Sequence, residues 1–208
     1  MKHLHLLSSI LILSGCMSIP NTESIATSMF NIPSSGHSEF DGTKHIRMSN
    51  MGCINIRFEL YQDTPKAEKG IVLLKAGTNT ITNIGNDSSL HFRLDDGVHS
   101  FSASSLLTEH ESTQFKYGVK SNFSYKTYIV TEEFIRKIAN SDTFIAKVNL
   151  LNNTYIEGKC STLTLKEARE MNQYSDIQIT QETLDISNKI VASTGFRKFV
   201  EMMDSTSW

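Results

Sequence analysis

The clearest alternation of apolar and polar positions runs over residues 53–61, where Ile54, Ile56, Phe58 and Leu60 interleave with Asn55, Arg57, Glu59 and Tyr61. A period of two marks a strand with one dry and one wet face. Weaker versions of the pattern predict strands at 39–50, entered through an Asp41-Gly42 turn, and at 69–76, 78–84, 114–120 and 122–130. Two further runs, 90–94 and 98–103, flank Asp95-Asp96-Gly97, and an Asp-Gly pair between alternating runs predicts a hairpin. With Asp96-Gly97 as a type I′ loop, both residues take φ > 0, Phe92 faces Phe101 and Leu94 faces His99. Residues 144–151 and 155–160 predict a second hairpin, whose three-residue loop sets Leu150 by Ile156, Val148 by Gly158 and Ala146 by Cys160.

The period then changes to that of a helix. Phe134, Ile135, Ile138 and Ala139 form one stripe behind Thr131, a good N-cap, with Glu132 and Glu133 suited to the positive helix end. Thr164-Leu165-Lys166-Glu167 matches a capping box and predicts a helix to about residue 173. Ala192, Phe196, Phe199, Val200 and Met203 share one face of a helix over 192–203, while Ile186 and Ile190 fall outside its phase. About nine strands with about three short helices towards the C-terminus predict an α+β fold, built on a mainly antiparallel curved sheet or β-sandwich.

The start of the chain follows neither period. Lys2 precedes an apolar run of Leu4, Leu6, Leu7 and Ile10 to Leu13, followed by Ser14, Gly15 and Cys16. The run is too short to cross about 30 Å of hydrocarbon at about 1.5 Å per residue, and it reads as a secretory signal peptide. Leu13-Ser14-Gly15-Cys16 resembles the lipobox of bacterial lipoproteins. That resemblance implies cleavage before Cys16, acylation of Cys16 and attachment to a membrane through N-terminal acyl groups. Met17 stands where lipoproteins retained in the inner membrane often carry Asp, so the resemblance points to the outer membrane. The expected organisation is a signal peptide at 1–15, a lipidated Cys16 with a Pro- and Ser-containing tether at 16–38, and one globular domain at 39–208. The alternative for the tether is a tail that packs back through Met29, Phe30 and Ile32.

Composition narrows the picture. Without residues 1–15 the chain has 193 residues, enough for one well-cored domain, and 19 basic residues against 22 acidic ones. The basic residues are scattered, so no nucleic-acid partner is expected. With Cys16 assigned to lipid, Cys53 and Cys160 remain as a pair in an oxidising compartment, where a disulfide is the default. Two buried free thiols or a metal pair are the alternatives, and no Cys-x-x-Cys spacing favours metal. The strand phases set a condition on the bridge. Cys160 lies on its strand's apolar face while Cys53 keeps step with polar residues, so the bridge requires Cys53 at a strand edge or bulge.

Candidate chemistry is sparse. No Gly-x-Ser-x-Gly, Ser-x-x-Lys, phosphate-cradling loop or His-Glu-x-x-His occurs. His91 and His99 flank the first hairpin turn but fall on opposite faces, which gives no metal site. Glu109-His110-Glu111 is the one dense acid and imidazole cluster, read as solvated loop charges between strands. Phe115, Tyr117, Phe123, Tyr125 and Tyr128 suit either a groove for a glycan or peptide or a cross-strand ladder in the core. No catalytic residue, metal or cofactor is therefore expected beyond the covalent lipid on Cys16.

Phe40-Asp41-Gly42-Thr43-Lys44, the run from Tyr128 to Ile135, and Gly195-Phe196-Arg197-Lys198-Phe199 give the rest of the chain a resemblance to small bacterial envelope lipoproteins. The expectation is a lipid-anchored envelope protein whose domain binds or scaffolds another envelope protein or a cell-wall component. The alternatives are an immunity or inhibitor lipoprotein, and an envelope-polymer hydrolase built around groups such as Glu109, His110 and Glu111.

Overall fold

The structure, a computed structural model, describes residues 30–114, 120–171 and 179–208. Cys16 and residues 1–15, where a signal peptide is expected, lie outside the described residues, as do Phe115 and Tyr117. The strands are β1 (Ile32–His37), β2 (Lys44–Cys53), β3 (Ile56–Asp63), β4 (Ile71–Thr78), β5 (Ser88–Leu94), β6 (Gly97–Ser102), β7 (Glu109–Gln114), β8 (Lys120–Thr131), β9 (Ile145–Asn149) and β10 (Tyr155–Lys159). The helices are α1 (Thr64–Ala67), α2 (Glu132–Asn140), α3 (Leu165–Met171), α4 (Gln181–Ile190) and α5 (Ala192–Ser205). A six-stranded sheet in the order β1-β2-β3-β4-β8-β7 faces a four-stranded sheet in the order β10-β9-β5-β6, and every pairing is antiparallel. The fold is α+β, as the early strands and late helices imply.

The core fills the space between the sheets and under α2 and α5. Phe58 of the large sheet meets Phe92 and Phe144 from the small-sheet side and Phe196 of α5, with ring centroids 5.8–6.1 Å apart. All four rings are buried. Offset and edge-on aromatic pairs at such distances add to the burial of their large apolar area. The predicted stripe of α2 goes fully into this core, and the Thr131 side chain accepts from Phe134 N at the helix start.

Several boundaries differ from the expectation, each for a local reason. Residues 32–37, placed in the tether, form β1 against β2, and Phe30 packs beside Gly52. From Phe30 onwards the packed-back tail is therefore the arrangement observed. Asp41-Gly42 turns the chain between β1 and β2, with Gly42 at φ 71°, so the second strand begins at Lys44. Residues 79–84 lie outside any strand, and Ile84 keeps only an isolated bridge to Leu150. The first small-sheet hairpin turns at Asp95-Asp96, pairing Leu94 with Gly97, Phe92 with His99 and Leu90 with Phe101. Its unusual backbone is at Gly97 alone, with φ 129°, so the loop sits one residue earlier than expected and the cross-strand pairing is shifted by two positions. In the β9–β10 hairpin Val148 pairs with Ile156 and Ala146 with Gly158. That is a shift of two positions, and an even shift leaves every side chain on its expected face. Helix α4 escaped the periodicity because only Leu184 of its residues is buried, and extended backbone at Val191 separates it from α5.

The condition on Cys53 is met by two irregularities. A bulge between Met48 and Met51 turns both side chains into the core, so the inward phase of β2 passes through Met51 to Cys53. A two-residue turn, Ile54-Asn55, then pairs Cys53 with Ile56, with Asn55 at φ 60°. The alternation over 53–61 thus spans a turn, and Ile54, in step with the apolar face, is exposed. Cys53 is bonded to Cys160, with Cα atoms 4.7 Å apart, which ties the end of β2 to the end of β10.

Candidate functional site

The outer face of the six-stranded sheet carries more charge than a solvated face needs. Strand β3 sends Ile56, Phe58 and Leu60 into the core, so Arg57, Glu59 and Tyr61 point the other way. Register then brings the neighbours into place: Arg47 opposite Tyr61, Lys75 opposite Glu59, and Leu73 opposite Tyr61 on the far side. Arg47, Glu59, Tyr61, Leu73, Lys75 and Glu111 are among the residues lining a groove of about 580 Å³ on this face. That size falls within the range of about 300–1,000 Å³ usual for ligand sites.

Two charge clusters build the groove. In the first, Arg47 Nη2 donates to Glu59 Oε2 at 2.7 Å; the Arg47 side chain is 45% exposed and that of Glu59 only 7%. Arg57 is buried, with its guanidinium 3.8 Å from the centroid of the Phe123 ring. Burial pulls the Arg57 pKa below its ordinary value, against the opposing pull of Glu59 and Glu111. In the second, Lys75 Nζ donates to Glu111 Oε1 and to Tyr125 Oη, both at 3.0 Å, and Tyr125 Oη lies 2.6 Å from Glu111 Oε1 and 3.1 Å from Glu109 Oε2. Desolvation works to raise the Glu111 pKa, but the bonds from Tyr125 and Lys75 and the nearby cations outweigh it and hold the carboxyl below its usual range. Burial, together with the carboxylates of Glu111 and Glu109, drives the Tyr125 phenol upward. Both groups are held in one protonation state near neutral pH, Glu111 as an anion and Tyr125 as a donor.

The rim of the groove is aromatic. His45 and Tyr61 lie side by side with centroids 6.1 Å apart and planes 26° from parallel. The cluster Glu109-His110-Glu111 sits here in strand β7, not in a loop. Alternation therefore divides it: both carboxylates turn to Tyr125, while His110 Nδ1 lies 2.8 Å from Ser124 Oγ on the opposite face. Phe123 and Tyr125 stack under the charge clusters, and Tyr128 faces the core, where its hydroxyl is 2.8 Å from Ser89 Oγ. His91 and His99 pair with Ser100 and Phe92 respectively, which leaves them on opposite faces of their hairpin. Among the described residues no group of three or more His, Cys, Asp or Glu side chains is placed to hold a metal ion.

Arg47, Glu59, Tyr61 and Lys75 carry no motif. The signal in Arg47, Glu59 and Lys75 is opposite charge on neighbouring strands, which becomes visible only once the register is known. A second, smaller pocket of about 280 Å³, mostly apolar, lies beside the disulfide between Phe30, Ile54, Leu163 and Val191. No protein family matches the chain, and searches of curated proteins and of solved structures find no match to it.

Proposed function

We propose that the chain is a lipid-anchored protein of the bacterial cell envelope, held by acyl groups on Cys16 at the outer membrane, whose domain binds an envelope protein or cell-wall component through the outer face of its six-stranded sheet. The observation that carries the binding reading is the burial of the charged pair Arg57 and Glu59 on the outer face of the six-stranded sheet. Buried ion pairs return little or no net stability, because desolvation opposes their attraction. A charged network in such a place is better accounted for by ligand recognition than by folding. Binding is favoured over hydrolysis because alternation in β7 turns Glu109 and Glu111 to one face and His110 to the other, so the acids and the imidazole do not converge on one reacting centre. The leader and the Leu13-Ser14-Gly15-Cys16 quartet support the anchor.

Two measurements test this reading. A palmitate analogue should label the wild type and not Cys16→Ser, and the variant should no longer sediment with membranes. Envelope material retained by the immobilised domain should fall sharply for Arg47→Ala and Lys75→Ala. Retention unchanged by both substitutions would remove the groove from the proposal, and labelling that survives Cys16→Ser would remove the anchor.

A further inference from the structure

Taking the groove as the ligand site, we infer that its ligand is an uncharged, oxygen-rich glycan chain. Two cations, Arg47 and Lys75, stand against two anions, Glu59 and Glu111, along the groove, so the wall has no net charge to compensate a charged ligand. A polyanion entering the groove would lose water without gaining a counter-charge.

Hydrogen-bonding capacity decides further. A guanidinium has five N–H donors and an ammonium three. Among the described residues Arg47 spends one nitrogen on Glu59, and Lys75 spends two bonds, on Glu111 and Tyr125. On the acceptor side, Glu111 Oε1 already takes bonds from both Lys75 and Tyr125, and Glu59 is almost wholly covered. The open capacity of the groove is mostly donor, fixed in place by ion pairs, so little side-chain freedom is lost when a ligand arrives. Hydroxyl, ring-ether and acetamido oxygens accept such donors, and a hydroxyl can rotate its own hydrogen towards whatever acceptor remains. A peptide brings one backbone N–H for nearly every C=O, and half of its main-chain groups would face donors. The Tyr61 ring, stacked with His45 and with Leu73 across from it, supplies an aromatic surface for the C–H groups of a sugar ring, with Lys66 Nζ 5.6 Å from its centroid.

The test titrates the folded full chain by calorimetry with two uncharged probes, an N-acetylglucosamine tetramer and maltotetraose. A galacturonate tetramer and an uncharged tetrapeptide of alanine and glycine serve as comparisons. At least one uncharged sugar should bind with a dissociation constant of about 1 mM or tighter, about tenfold ahead of both comparisons. Tyr61→Ala, or Arg47→Gln should the first variant not fold, should weaken it about tenfold, and Lys198→Ala on α5 should leave it unchanged. Preference for the galacturonate or the peptide with the same sensitivity to Tyr61→Ala overturns the glycan assignment while the groove stands. Sugar binding indifferent to both groove variants overturns the groove itself. No binding of either sugar at about 10 mM overturns the glycan assignment.

Discussion

Gly158 of β10 lies so close to Ile54 that a Cβ at position 158 would sit 2.7 Å from the Ile54 carbonyl oxygen and 3.5 Å from Cys53 Cβ. The obstacle is main chain, so no side-chain rotation relieves it. Gly158→Ala is expected to lower stability by about 1–3 kcal/mol through backbone displacement. The shift should appear as a lower urea midpoint with an unchanged slope. A midpoint equal to the wild type would mean that the Ile54 turn moves aside freely.

The bond next to that contact closes a loop with a sequence separation of 107. In the chain-entropy account, a loop of this length is worth about 4–5 kcal/mol. Reduction, or Cys53→Ser with Cys160→Ser, should therefore lower the urea midpoint by far more than most surface changes would. Peptides carrying Cys53 and Cys160 should be recovered linked by non-reducing mass spectrometry. Their recovery as separate alkylated species without prior reduction would contradict the pairing.

Asp95 gives the fold a dependence on acid. Its carboxylate accepts from the Thr143 and Asp142 backbone N–H groups at 2.8 Å each and from Ser141 Oγ at 2.9 Å, tying the β5–β6 turn to the residues after α2. The Thr143 side chain first, then the Asp142 and Thr143 backbone N–H groups and Ser141, lower its pKa from 3.8 to about 2. A folded-state value below the unfolded one means that the folded protein favours the anion, so the contribution is complete above about pH 4 and is lost as pH falls through about 2. Asp95→Ala should lower the melting temperature at neutral pH, and its gap from the wild type should narrow across that window. A gap that stays constant down to pH 2 would show that the carboxylate charge is not what the turn uses.

Glu59 is expected to matter more to stability than any other anion of the groove. Glu59→Ala leaves Arg57 buried and removes the partner of Arg47. Breaking a buried pair from one side costs about 3–5 kcal/mol, and the exposure of Arg47 puts this case towards the lower figure. Glu59→Gln, which keeps the acceptor oxygen, should recover part of the loss in the same denaturation experiment.

How much of this was readable beforehand follows the range of the interactions involved. Helix α2 and the capping box at Thr164 are local features, written within a few consecutive residues, and both appear where expected. Strand faces were readable too, because period two is local, and this is why the shifted β9–β10 register still buries the expected side of the hairpin. Turns failed where the residue carrying the unusual backbone was misplaced, at Asn55 and Gly97. The apolar side chain of Ile54 continued the pattern of β3 through a turn and hid the end of β2. The groove was the least legible part. Glu59 and Lys75 are separated by a strand reversal, and nothing in either local sequence announces that they will stand opposite each other.

The disulfide also divides the molecule topologically. Residues 53–160 form one covalent ring that holds eight of the ten described strands entire, and two arms leave it, one carrying β1 and β2 and the other α3 to α5. The arms are each other's partners: Asn31 Nδ2 donates to the Lys189 and Val191 carbonyls, and Gly52 bridges to Val191. The exposed Leu106 and Leu107 lie within the ring. A single proteolytic cut there opens the ring without releasing a fragment, and the two halves part only once the sulfur bridge is reduced.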